Sequence, residues 1–114
     1  MPRTRNYPCC IRIVKPSARQ IGDGAKLVLF IKGHQVRATP SQAAVLACLH
    51  DNQGRVVPYQ RLARVLGYKS MRRRRQRRTL RQYVLWIRKT LTRHKALCQL
   101  AVVPRIGYLL CGHD

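Results

Sequence analysis

Residues 72–91 of the chain read RRRRQRRTLRQYVLWIRKTL and join a run of arginines directly to a helical pattern. Seven of the ten residues from Arg72 to Arg81 are arginine. Apolar residues then recur at spacings of four, three and four, which is the period of one helix face. These residues are Leu80, Val84, Ile87 and Leu91. We therefore expect one long helix from about Met71 to Thr92, with Ser70 as its N-cap, so that the arginine run begins a packed helix and is not a solvated tail.

A second helix is predicted upstream, where a capping pattern precedes a run of apolar residues. Thr39 can accept a first-turn N–H, Pro40 suits the first helical position, and Gln42 can complete a capping box. The helix should continue to about Asp51 and end in the turn at Asn52–Gly54. This segment contains no Lys or Arg, so in a basic chain we expect it to face the core or another protein.

A shorter helix should begin at Pro58 and end at Gly67. Strands are predicted on both sides of the helices. They are Cys9–Val14, Lys26–Lys32 and Gln35–Ala38 before the helices, and Leu100–Val103 and Tyr108–Cys111 after them. The strand Lys26–Lys32 is apolar at successive positions and is expected to be buried on both faces. The predicted connections are a loop at Pro16–Gly24, a turn at Gly33–His34 and a tight turn at Pro104–Gly107 with Arg105 at its tip.

This order predicts an α+β fold of the winged helix-turn-helix kind, with a small N-terminal antiparallel sheet, three helices and a C-terminal β-hairpin wing. The length of 114 residues suits one domain. Residues 1–8 are expected to form a flexible basic arm and residues 9–114 the domain. Within the domain we expect the sheet at about 9–38, the helices at about 40–92 and the wing at about 99–111.

The charge of the chain favours a polyanionic partner and argues against an enzyme. Twenty-four Lys and Arg against 3 acidic residues give a net charge of +21, which suits nucleic acid or, less well, an anionic membrane surface. The acids are Asp23, Asp51 and Asp114, too scattered for general acid–base catalysis. No apolar run is long enough to span a membrane or to serve as a secretory signal. We therefore expect a cytoplasmic, nucleoid-associated protein.

The cysteines raise the question of a metal site. They are Cys9, Cys10, Cys48, Cys98 and Cys111. No Cys-x-x-Cys spacing occurs among them, and the four histidines have no zinc-ligand spacing. We therefore predict free thiols, as is usual in a reducing compartment, and neither a metal nor another cofactor.

Three segments in this order resemble the DNA-binding output domain of the OmpR/PhoB family over about residues 27–110. HQVRATPSQAAVLACLHDNQGRVV resembles its strand, Thr-Pro-capped first helix and Gly-Arg-Val-Val connection; RRTLRQYVLWIRKTL resembles its recognition helix; and VPRIGYLL resembles its wing. The resemblance implies a transcription regulator that binds double-stranded DNA, here as an output domain without a receiver domain. It also implies a head-to-tail dimer on tandem sites and contacts with RNA polymerase or a partner regulator.

The sequence departs from the family pattern in two places. The family's usual Trp-Gly at the end of the second helix is Leu66-Gly67 here, and consecutive arginines of its recognition helix are replaced by Leu85 and Trp86. Positive charge lies upstream instead, between Arg72 and Arg81. The fold should therefore transfer from the family more directly than the details of base recognition.

Helical geometry selects candidate DNA-binding residues. With the apolar stripe facing inward, steps of about 100° place an outward arc on the opposite side of the long helix. The candidates on and before it are Arg72, Arg73, Arg74, Arg75, Arg77, Arg78, Arg81, Gln82, Leu85 and Lys89. Arg72–Arg77 are expected to bind phosphate, and base reading should begin near Arg78 and continue through Gln82 and Leu85. The wing adds Arg105, which by the resemblance enters the minor groove.

Other interpretations stay open at this point. Each arginine could be a solvated charge at a frayed helix end, and Arg105 could be an ordinary turn residue. Tyr83 and Trp86 suit packing better than base stacking. For the whole chain, the alternatives to a regulator are a sequence-indifferent architectural DNA binder, an RNA-binding protein and, most weakly, a membrane-surface peptide.

Overall fold

A computed structural model describes residues 11–13, 26–96 and 98–111. Its elements, in chain order, are β1 Ile11–Arg12, β2 Leu27–Ile31, β3 His34–Ala38, α1 Pro40–Asp51, β4 Val56–Pro58, α2 Tyr59–Val65, α3 Arg74–Arg93, β5 Gln99–Val103 and β6 Gly107–Cys111. The α+β winged helix-turn-helix architecture is confirmed. The predicted arm at 1–8, the Cys9–Cys10 pair and the loop at Pro16–Gly24 lie outside the described residues.

The N-terminal sheet is antiparallel, in the order β1-β2-β3. Its β2–β3 hairpin turns at Lys32 and Gly33, both at positive φ (+51° and +79°), as a two-residue turn of the primed type requires. The turn thus lies one residue earlier than predicted. Burial of β2 on both faces was wrong, because Val28 and Phe30 on its outer face are 40% and 41% exposed. Nothing in the described part of the chain covers that face.

Helix α1 is the centre of the domain. The predicted capping box is present: Thr39 Oγ1 accepts from the Gln42 N–H at 3.2 Å, and Gln42 Oε1 accepts from the Thr39 N–H at 2.9 Å. Eight of its 12 residues are buried. A helix that is apolar on all sides belongs in an interior, and this explains why the segment has no Lys or Arg. It therefore presents little surface to a partner protein.

A three-residue strand, β4, was not predicted and completes the C-terminal sheet, whose order is β4-β6-β5. Its Val57 is paired with Tyr108 and its Pro58 with Gly107. Pro58 therefore ends a strand and serves as the N-cap of α2, where the sequence suggested the first helical residue. The close approach explains the glycine, because a Cβ at residue 107 would overlap the backbone of Val57 and Pro58. The wing is thereby fixed to the start of α2.

Helix α3 ends in a Schellman motif with a lysine at the position that favours glycine. Lys95 has φ +55°, its N–H donates to the Thr92 carbonyl at 3.1 Å, and the Ala96 N–H donates to the Leu91 carbonyl at 2.9 Å. Helix α2 ends with the same pair of hydrogen bonds around Gly67, whose φ is +80°. The same C-terminal motif therefore occurs twice, with a glycine at the left-handed position in α2 and a lysine, which is strained there, in α3.

The C-terminal end of α3 also contacts the β2–β3 turn. Lys32 Nζ donates to the Lys95 carbonyl at 3.2 Å, and the His34 and His94 rings lie 5.3 Å apart between centroids. The predicted apolar stripe of α3 is buried in the core that all three helices share. These contacts fix the position of α3 relative to both sheets.

Candidate nucleic-acid interface

Helix α3 presents a basic, exposed face opposite its buried stripe. The exposed residues on or beside this face are Arg74, Arg75, Arg77, Arg78, Arg81, Gln82, Leu85 and Lys89. Leu80 is the first buried side chain of the helix. None of residues 74–79 is buried, although Gln76 and Thr79 are partly covered, and this part of the helix extends about 9 Å beyond its first buried residue at the rise of an α-helix. The sequence-derived outward arc and the exposed face agree.

The start of α3 differs from the predicted start. The helix begins at Arg74 with Arg73 at the N-cap, whereas the sequence indicated Met71 and a Ser70 cap. Ser70 Oγ instead accepts from the Arg72 N–H at 3.4 Å, which stabilises a turn in the preceding loop. Arg72 and Arg73 consequently precede the helix.

The N-terminus of α3 is strongly electropositive. Arg73 provides no side-chain hydrogen bond to the first turn, and no acidic residue lies there. Helix starts have unsatisfied N–H groups and the positive end of the macrodipole, and here arginines surround them. This contrasts with α1, whose first N–H groups are satisfied by its own capping box. The arrangement in α3 is suited to an anion.

Arg77 has a structural contact that the sequence did not indicate. Its Nη1 donates to the carbonyls of Arg72 and Met71, at 2.9 and 3.3 Å. The guanidinium therefore closes the α2–α3 loop over the first turn of α3. In the loop that it closes, Arg72 and Arg73 stay exposed, so Arg77 positions two of its neighbours.

Two tyrosines and a threonine pack where this loop meets α3. Burial and the neighbouring Tyr83 hydroxyl raise the pKa of Tyr68 above its ordinary value, while a hydrogen bond with Thr79 partly offsets the rise. Tyr83 and Trp86 are half-buried against the core. This agrees with the packing interpretation of these two side chains.

The wing holds Arg105 at the tip of a tight turn. Pro104 and Arg105 occupy its centre, the Ile106 N–H donates to the Val103 carbonyl at 3.0 Å, and Arg105 has φ +68°. A proline followed by a residue at positive φ is the pattern of a type II turn, which favours glycine at the second position. Both Arg105 and Ile106 are exposed, so the turn presents an arginine from a strained backbone position.

The wing is held rigidly against α2 and α3. The Tyr59 N–H donates to the Ile106 carbonyl at 3.0 Å, and the Tyr59 and Tyr108 rings meet edge-to-face at 5.6 Å. Arg88 donates from Nε and Nη2 to the Leu100 carbonyl, at 3.3 and 3.2 Å. The sequence did not single out Arg88 or Tyr59, because their partners lie far along the chain.

Tyr108 lies where the wing, α2 and α3 meet. Burial and the Tyr59 hydroxyl raise the pKa of Tyr108, and the positive charges of Arg81 and Arg88 counteract the rise. The buried Tyr108 side chain thus belongs to the wing and lies next to the exposed face of α3. It therefore packs between the two surfaces, the α3 face and the wing, that the sequence predicts to bind DNA.

The described residues contain no group of three His, Cys, Asp or Glu side chains that could hold a metal ion. Among the cysteines, Cys98 is buried beside Gln53, whose Nε2 donates to its sulfur at 3.7 Å, and Cys48 packs against the core. No helix within the described ranges is long and apolar enough to cross a bilayer.

Comparison with known proteins places the chain in a family. Residues 33–110 match the sequence model of the family described as transcriptional regulatory protein, C terminal. The match begins within the β2–β3 turn and includes α1, α2, α3 and the wing, which is more than half of the chain. The curated proteins give no match. The chain belongs to the family of C-terminal DNA-binding domains of transcriptional regulatory proteins, of the OmpR/PhoB type.

Proposed function

We propose that this protein regulates transcription by placing α3 in the major groove of duplex DNA and the wing in the adjacent minor groove. The observation that supports this most is the exposed basic face of α3, set opposite a stripe that the core buries. An α-helix fits the major groove of B-DNA, where each base pair presents a distinct pattern.

The length of the exposed face allows some of its residues to bind phosphate (the anchors) and others to contact base edges (the readers). Arg74 to Lys89 span about 22 Å along the helix axis, and a helix that crosses the groove, which is about 12 Å wide, places only its middle over the base edges. In this placement the residues at the N-terminal end lie beside the phosphates. We assign phosphate contacts to Arg72–Arg75, with Arg77 positioning the loop and retaining donors of its own. The first turn of α3 has backbone N–H groups without a side-chain cap, and these N–H groups can donate to the same phosphate.

Base reading is assigned to the middle of the face. Arg78 and Arg81 suit guanine edges, Gln82 suits adenine, and Leu85 suits an apolar group. Lys89 lies further along the same face and would contact the opposite backbone. Arg105 enters the minor groove, whose negative potential is greatest where A·T pairs narrow it.

The proposal is tested by the salt dependence and the sequence dependence of binding. A selection from a randomised duplex library at physiological salt should yield a shared motif. If about five phosphates are contacted, the logarithm of affinity should fall with the logarithm of salt with a slope of about −4.5. If the protein binds the selected duplex and a random duplex with nearly equal affinity, the proposed role as a sequence-specific regulator is wrong.

Two variants separate the assigned roles. Arg73→Ala should weaken binding to all sequences alike and reduce the salt slope by about one. Gln82→Ala should change the sequence preference while leaving most of that slope. If the two variants behave alike, the division of the face into anchors and readers is wrong.

The net charge of +21 favours a second candidate, an architectural protein that binds DNA without sequence preference. It predicts a featureless, A·T-rich footprint in the same selection. An RNA-binding role is the weaker alternative, and competition between duplex DNA and structured RNA decides it.

We further propose that the protein acts in the cytoplasm, on the nucleoid, as a head-to-tail dimer on tandem half-sites. The exposed outer face of β2 is the surface that we assign to RNA polymerase or a partner regulator, because α1 is buried. Direct repeats in the selected motif would support the dimer, and a single half-site would contradict it.

A further inference from the structure

Leu85 is an apolar side chain in the middle of a polar surface. It lies on the exposed face of α3 and is 50% exposed. The other large apolar side chains that are similarly exposed in the described part of the chain belong to strands or to the wing turn. Among these exposed apolar side chains, Leu85 is therefore the one that lies on a helix face and could enter a groove of DNA.

The neighbours of Leu85 on this face exclude an extension of the core. Residues three and four apart are neighbours on a helix surface. For Leu85 these are Arg81, Gln82, Arg88 and Lys89, which are all exposed. Three cationic side chains and an amide thus surround a leucine, and an apolar partner must come from outside the domain.

The base edges in the major groove offer one prominent apolar group, the 5-methyl group of thymine, among hydrogen-bond donors and acceptors. We propose that Leu85 contacts this methyl group and makes the protein select thymine at one position of each half-site. The inference rests on the proposed placement of α3 in the major groove. It names the base that the centre of the helix recognises.

The spacing of Gln82 and Leu85 adds a constraint on the sequence. The two residues are separated by about 4.5 Å along the helix axis, against about 3.4 Å between adjacent base pairs, so their side chains can reach neighbouring base pairs. Because Gln82 suits adenine, the selected half-site should have the adenine that it reads beside the thymine, on either strand.

The test removes the methyl group and the leucine separately and together. Each thymine of the selected duplex is replaced in turn by deoxyuridine, which deletes only the 5-methyl group. One replacement per half-site should weaken binding of the wild-type protein about four-fold, the effect of uncovering one methyl-sized group. Leu85→Ala should lose affinity for the thymine duplex and become indifferent to that replacement.

Matched variants keep the result interpretable. Lys89→Ala, one turn away on the same face, should weaken binding but keep the methyl sensitivity of the wild type. Leu85 is half exposed, so Leu85→Ala should unfold at the same denaturant concentration as the wild type. That measurement excludes a loss of fold as the cause.

Four outcomes overturn the inference. If no thymine is sensitive, or if Leu85→Ala keeps the wild-type sensitivity, Leu85 does not read thymine. If Leu85→Ala changes the oligomeric state on DNA while methyl sensitivity stays, its partner is a second protein copy. A library that yields no shared motif overturns the proposed sequence-specific function as well, whereas a motif without methyl sensitivity overturns this inference alone.

Discussion

Replacing Arg105 with glycine should stabilise the protein and weaken its complex with DNA. Arg105 has φ +68° in the wing turn, a conformation that costs a residue with a side chain about 1–2 kcal/mol. Glycine avoids this cost but adds roughly 0.4–1 kcal/mol of conformational entropy to the unfolded chain. The net gain in unfolding free energy is about 0.5–1 kcal/mol. For a domain of this size the midpoint of thermal unfolding should rise by about 2–4 °C.

The effect on binding has the opposite sign. A hydrogen bond from a charged donor contributes about 1.5–3 kcal/mol, so Arg105→Gly should lower the affinity for the selected duplex about 10- to 100-fold. If Arg105 contacts a phosphate, the salt slope should also fall by about 0.9. The hydrogen bond from the Ile106 N–H to the Val103 carbonyl involves only backbone atoms and is kept.

Thermal unfolding and equilibrium binding at several salt concentrations measure the two effects. Arg105→Lys is the matched control, since it retains both the positive charge and the backbone strain. It should unfold like the wild type and keep most of the salt slope. A glycine variant that is less stable would show that the turn is not strained, and one with unchanged affinity would remove Arg105 from the interface.

Three further changes test the fold around the interface. Lys95→Gly should raise the unfolding free energy by about 0.5–1 kcal/mol in chemical denaturation, and Gly67→Lys should lower it by a similar amount, because both residues occupy the left-handed position of the same motif. If both variants change the unfolding free energy in the same direction, this explanation is wrong. Gly107→Ala should cost about 1–3 kcal/mol and loosen the wing, because its Cβ would overlap the Val57 carbonyl; wild-type stability would show that the strands separate freely. Because the pKa of Tyr108 is raised in the folded protein, the unfolded chain loses this proton at a lower pH, so stability should fall as pH rises above about 10. The fall should be shallower in Tyr108→Phe. If the two proteins lose stability identically with rising pH, this phenol does not contribute.

Local patterns in the sequence predicted the elements that local chemistry determines. The capping box of α1 needs only Thr39 and Gln42, three residues apart, and it formed as expected. The buried stripe of α3 follows from its period, and its burial fixes the exposed face. These features depend on side chains within a few residues of one another, which is why a single sequence is sufficient to predict them.

The features that the sequence missed depend on distant partners. β4 has three residues and no period of its own, and it is a strand only because β6 pairs with it. Ser70 looked like a cap, but the turn it forms with Arg72 moves the helix start to Arg74. The contact of Arg88 with the Leu100 carbonyl likewise requires the wing to be in place.

The six residues of α3 that precede Leu80 are joined to the α2–α3 loop by Arg77 and Thr79 but are not buried in the core, so the start of the helix would move together with this loop. The C-terminal half of α3 is held by the core, by Arg88 and by the β2–β3 turn, while Arg74 lies about 9 Å beyond the first buried residue. A tilt of about 10° at the core would therefore move Arg74 by about 1.6 Å and leave Gln82 and Leu85 almost in place. Phosphate positions vary with groove width from one DNA sequence to another, so such a tilt would let the arginines proposed to bind phosphate follow the backbone while the residues proposed to read bases keep their register.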